Sequence, residues 1–246
     1  MTEPTPAPVQ APAAGGPTFI ADGARLGRVL FSPGAVFTEL NQRPSFWVPW
    51  IIVSVVYAAL NFFQRPFQQR LKDLMLERAG RPVTPPSALG DIIGLVLTPV
   101  GLLVLCAISA GILYLIASGL GGETTYKRML TVVIFTFPVT LIQTVLTVIV
   151  LNMRGVSSIA GPQDMMVSFG ADLLLPGDSQ IGYFVRILLM GISPLAIWSL
   201  AIQATGLTLL AKMGKGAAWT AAVIAYAVFL LVGAGLGAFG MKMAGG

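Results

Sequence analysis

Residue types able to make or break bonds are scarce in this chain. It has one cysteine, Cys106, and no histidine. Ser-His and Cys-His nucleophilic pairs, His-ligated haem and Cys/His zinc sites therefore all lack a required member. Cys106 stands among Leu103, Leu105 and Ile108, the setting of a small buried hydrophobe. Asp164, Asp172 and Asp178 share one connection, but their spacing matches no calcium loop and they read as solvated carboxylates. There is no G-x-x-x-x-G-K phosphate loop and no basic run with interleaved aromatics, so neither nucleotide nor nucleic acid is expected as a partner. The expectation is a protein without catalytic, cofactor-binding or metal-binding residues.

Composition says where the remaining chemistry must sit. Lys+Arg number 15 and Asp+Glu 10, only 10% of the chain, against roughly 25% in soluble domains; the mean hydropathy is +0.82. Five windows carry no charge at all: 44–64, 92–122, 129–153, 187–211 and 216–241. Each can cross a hydrocarbon core, which takes about 20 apolar residues in helical form. The predicted fold is all-α: a polytopic membrane bundle of five transmembrane helices at about 46–63, 92–120, 129–151, 184–211 and 217–240, with short interfacial amphipathic helices. Trp47, Trp50, Phe62 and Phe63 bracket the first span as interfacial aromatics do.

No ionisable residue lies in the interior of any window, which argues against a proton relay or a charge-coupled carrier. Arg186, near the start of span four, can snorkel to the interface. Gln143 and Gln203 are the most informative uncharged polar residues, because an amide in hydrocarbon needs partners. They either line a polar cavity between spans three and four or hydrogen-bond across a helix interface or to backbone freed by a proline. Pro99, Pro138 and Pro194 each interrupt a span and predict kinks in an irregular bundle. Gly233 and Gly237 stand at G-x-x-x-G spacing in span five, suited to close packing within the bundle or to a dimer seam.

Outside the spans, residues 1–24 read as a disordered Pro/Ala-rich tail and 25–242 as the membrane domain. Nothing at the N-terminus resembles a cleavable leader, so span one is expected to serve as an uncleaved anchor. Within 25–41, Ser32 and Pro33 form an N-cap and first-turn pair. Val36, Phe37 and Leu40 follow on one face, giving a short helix at the membrane surface or a plain linker. Residues 66–79 place Phe67, Leu71, Leu74 and Met75 on one side and end at Gly80 and Pro82, predicting an interfacial amphipathic helix. Met165, Met166, Phe169 and Leu173 suggest a second one. Basic residues divide almost evenly between the two sides of the membrane. The Lys127-Arg128 and Lys212/Lys215 turns favour a cytoplasmic N-terminus, while the basic 65–81 segment argues the other way.

Three stretches carry a family resemblance: SPGAVFTELNQRPSFWVPW before span one, GLGGETTYKRMLTVVIFTFP from span two into three, and SPLAIWSLAIQATGL in span four. The chain resembles the Yip (Ypt-interacting-protein) domain family of five-span membrane proteins, in its bacterial branch, over about 30–240. Pro33, Phe37, Pro44, Pro49, Gly122, Tyr126, Arg128, Pro138, Pro194, Trp198 and Gly206 carry the likeness in their order and spacing. The D-L-Y-G-P motif of eukaryotic relatives is missing here, so roles in vesicle traffic and small-GTPase binding are not carried over. The resemblance implies the fold, residence in a bacterial cytoplasmic membrane and a non-enzymatic role exerted through lipid, other membrane proteins or a second copy. A channel or carrier for a neutral or lipidic solute is the rival expectation.

Overall fold

Gly80 ends the helix that begins at Trp47, and it does so with a complete cap. With Gly80 at φ +65°, Arg81 N–H reaches the Leu76 carbonyl at 2.9 Å and Gly80 N–H the Glu77 carbonyl at 3.1 Å. This is the paired bonding of a Schellman motif. Nothing upstream stops the helix, and Pro66 is absorbed inside it. Span one and the expected interfacial helix 66–79 are consequently a single 32-residue helix.

The computed structural model describes residues 19–83, 87–175 and 182–243. Among them the helices are α1 (Phe19–Arg28), α2 (Pro33–Gln42), α3 (Trp47–Arg78), α4 (Ala88–Gly119), α5 (Tyr126–Arg154), α6 (Tyr183–Gly191), α7 (Pro194–Leu210) and α8 (Lys215–Met243). Helices α3, α4, α5 and α8 are long and apolar enough to cross a membrane, and α6 with α7, bent by 60°, is long and apolar enough for a fifth crossing when the two are taken together. The all-α polytopic bundle is as expected. Helix α5 is its centre, packed on α3, α4 and α7, while α8 packs on α4, α6 and α7. The first half of α5 is buried from Met129 through Thr136. The short connections make α4/α5 and α7/α8 antiparallel neighbours, and Lys212 crosses between their turns to Glu123 at 2.9 Å.

Three expectations are corrected. Of the 1–24 tail, residues 1–18 lie outside the described residues, but 19–24 belong to α1. Helix α2 starts at Pro33 as predicted, yet it does not lie on the membrane surface with its apolar face in lipid. Val36, Phe37 and Leu40 are at most 1% exposed, packed against α7, with Phe37 edge-on to Phe135 at 6.3 Å. The 163–175 segment forms two 3₁₀ turns, Pro162–Met165 and Ala171–Leu174, instead of an interfacial helix. Pro99 and Pro138 sit inside continuous helices, and among the described residues the break comes at Pro194.

An ion-pair network fastens the α1–α2 hairpin. Arg25 meets Asp22 at 2.7 Å and Glu39 at 3.1 Å, and Arg28 meets Glu39 at 2.9 Å. Arg25 and Arg28 thus both meet carboxylates. Burial pushes the Glu39 carboxyl upward, but the hydrogen bonds from Arg25 and Arg28 outweigh it and hold its pKa below the ordinary 4.5. A carboxylate with a depressed folded-state pKa contributes stability above its unfolded pKa and loses it as pH falls through the folded one. Protease protection of residues 19–42 should therefore weaken as the pH falls below the ordinary carboxylate pKa. In Glu39→Gln that pH dependence should shrink, the Asp22–Arg25 pair being left in place.

Candidate functional site at the broken fourth span

The break is written in Gly-Ile-Ser-Pro, residues 191–194. A residue before proline is driven out of the helical region, and Ser193 is extended at φ −134°, ψ 157°. Its hydroxyl then accepts from Ala196 N–H at 3.1 Å, so Ser193 is the N-cap and Pro194 the first residue of a new helix. The same Ser-Pro signature is legible at 32–33. At 193–194 the long uncharged window hides it, because a proline there also fits a mere kink.

Ending α6 inside an apolar bundle frees carbonyls that have no water to bond. Two distant parts of the chain bond them. Tyr226 of α8 donates its hydroxyl to the Gly191 carbonyl at 2.7 Å. Ala171 N–H, from the connection after α5, donates to the Ile192 carbonyl at 2.9 Å. That connection comes so close that only glycine fits: a Cβ on Gly170 would lie 2.5 Å from the Met190 carbonyl oxygen and 2.7 Å from that of Leu189.

Beside the break lies a cavity of about 340 Å³, walled by α5, α6, α7, α8 and Met166 of the connection. Its polar lining comes from Thr140, Gln143, Ser193, Ser199 and Tyr226, and the rest is aliphatic. Gln143 is therefore on a cavity wall between spans three and four, as one sequence reading has it. Gln203 is not among the lining residues; it is half-buried further along α7. No hydrogen bond to either side-chain amide occurs among the described residues, whereas Asn61, Thr98, Thr147 and Thr205 each bond the carbonyl four residues back. That back-bonding satisfies them locally.

The other predicted residues fall elsewhere. Phe67, Leu71 and Leu74 do share a face, but it is covered by protein. Phe67 is 2% exposed and forms a second core with Leu151, Ile159 and Val167, against which Leu71 and Leu74 pack. The chain after α5 folds back onto α3 there, with Arg78 donating to the Ala160 carbonyl at 2.7 Å. Gly233 is exposed, and a Cβ there would meet nothing within 4 Å; Gly237 is half-buried. The small residues that do pack α8 into the bundle are Ala218, Ala221, Ala222 and Ala225. Pro99 borders a groove on α4, and Pro138 is buried in α5. Cys106 is a buried apolar residue, 1% exposed. Asp178 lies outside the described residues.

The motif residues of the sequence turn out to be fasteners. Arg128 donates to the Leu210 carbonyl at 3.1 Å, capping the C-terminus of α7. Trp198 Nε1 donates to the Leu30 carbonyl at 3.0 Å and holds the α1–α2 turn. Tyr126 donates to the Ala107 carbonyl at 3.0 Å, tying α5 to α4. A Cβ on Gly122 would sit 2.8 Å from the Ala117 carbonyl, and one on Gly206 would sit 3.0 Å from both Phe37 and Val132. These positions were legible as a pattern, but their partners were not.

Membrane-length helices around a central α5, with one crossing broken and stitched from two sides, define a multi-pass helical membrane protein. The chain belongs to the Yip1 domain family, whose profile matches residues 27–237. A curated relative, "Membrane protein YknW" of Bacillus subtilis (strain 168), is 25% identical over 211 residues, covering 82% of this chain and 85% of that protein. No solved structure matches significantly.

Proposed function

We propose that the protein is a non-enzymatic organiser of a bacterial cytoplasmic membrane, with its N-terminus in the cytoplasm, and that it works by contact with other membrane proteins and with lipid. One observation carries this reading: the outer ridge of α4. Ile92, Val96, Val100, Val104 and Ile108 recur every four residues, each between 52% and 63% exposed. All are β-branched, so their χ1 angles are already nearly fixed and little side-chain entropy is lost on packing. Rows at four-residue spacing are the ridges that interdigitate in helix pairs, and van der Waals fit is what associates helices in lipid. Photo-crosslinkers at Val100 and Val104 in living cells should give discrete protein adducts that the same groups at Leu231 and Leu236 of α8 do not. Lipid adducts alone at all four positions would refute the reading.

The cavity at the break favours a second reading, a site for a neutral or lipidic solute. Its polar groups carry no charge, and it borders the one span whose backbone is interrupted. Flux or lipid scrambling in liposomes that is lost in Gln143→Leu would favour transport over organisation.

A further inference from the structure

We propose that the crevice between α3 and α4 holds an anionic phospholipid, headgroup and one acyl chain together. Two hollows meet there. The first, about 550 Å³, is lined on α3 by Asn61, Arg65, Gln69 and Lys72, and on α4 by Gly94 and Thr98. The second, about 480 Å³, is almost wholly apolar and runs along Val55, Ala59 and Phe63 of α3 to Pro99 of α4. Ala58, Phe62 and Leu95 wall both, so the two adjoin.

Their order matches the order of a phospholipid in a leaflet. Arg65 is the first charge after the uncharged window 44–64, which puts it at the edge of the hydrocarbon. Its guanidinium lies over the Phe62 ring, 4.9 Å from the centroid. Lys72 follows seven residues later on the same side of the helix, about 10 Å away at 1.5 Å per residue. Going the other way, Ser54 at the far end of the apolar groove is about 16 Å from Arg65 along the axis, the scale of an acyl chain. The two cations suit a phosphodiester, while the amides of Asn61 and Gln69 donate to the Tyr57 carbonyl and to Asp73; the groove supplies the apolar wall for the tail. Small residues make the space: a Cβ on Gly94 would meet nothing within 4 Å. The site needs only residence in a bilayer and stands whether or not α4 has a protein partner.

The test is lipid retention by the full chain, read by native mass spectrometry after exchange into mixed phosphatidylglycerol and phosphatidylethanolamine of identical acyl chains. Phosphatidylglycerol should be retained preferentially, and Lys72→Gln should lower that preference about fivefold, the effect of one basic residue at a membrane surface. Gly94→Leu, which fills the crevice without touching either cation, should abolish retention. Lys212→Gln, at the opposite end of the bundle, should change nothing. Equal retention of the two lipids, or wild-type retention in both Lys72→Gln and Gly94→Leu, would overturn the proposal. Loss of protein adducts at Val100 with retention intact would count against the partner reading alone.

Discussion

Gly170→Ala should unseat the connection that closes the broken span. The added methyl group would lie 2.5 and 2.7 Å from the Met190 and Leu189 carbonyl oxygens and 2.8 Å from the Met190 carbonyl carbon. All are backbone atoms, so no rotamer change relieves the clash. Overpacking typically costs about 1–3 kcal/mol. Here the forced retreat also breaks the Ala171–Ile192 hydrogen bond and leaves a carbonyl in an apolar bundle, a further ~1–3 kcal/mol. The expected result is a detergent-solubilised protein with a markedly lower melting temperature and a 156–175 segment newly open to protease. Wild-type melting and cleavage would mean that the connection is not what completes the break.

Phe37→Ala should release α2 from the bundle, at about 3–5 kcal/mol for truncating a buried phenylalanine. Phe37 is 0% exposed; its ring packs edge-on to Phe135 and its tip lies against Gly206. That last contact supplies an internal control. Gly206→Ala alone should destabilise by ~1–3 kcal/mol through crowding of Phe37 and Val132. Combined with Phe37→Ala it should cost less than the sum, because the methyl enters vacated space. Strict additivity in chemical denaturation would show that the two residues do not touch. Cleavage within 29–43 should rise in Phe37→Ala and not in Phe31→Ala, whose ring is 83% exposed.

Much of the architecture was local and therefore readable. Charge-free windows of membrane length marked the crossings. The Schellman ends at Gly80 and Gly121, where φ is +65° and +82°, follow from glycine's access to positive φ. Ser32-Pro33 announced the start of α2, whereas the same pair at 193–194, inside a long apolar window, was equally compatible with a kink, and only the fold shows a restart. Gln143 stands on a cavity wall, one of the two settings that its sequence left open for an amide in the membrane. Gln203, chosen on the same ground, is absent from that wall, since nothing in a sequence gives the azimuth of one helix against another.

What the residues alone determined, then, is which stretches leave water, where some helices are capped, and which chemistries lack their reagents. The fold decided what each apolar face touches. Val36, Phe37 and Leu40, like Phe67, Leu71 and Leu74, carry a periodicity that suits a lipid surface, yet both sets meet protein. The reason is that hydrocarbon and a protein core are equally apolar, so no hydrophobic pattern separates them. Only the long-range contacts do: α7 and α5 reaching α2, and the chain after α5 returning to α3.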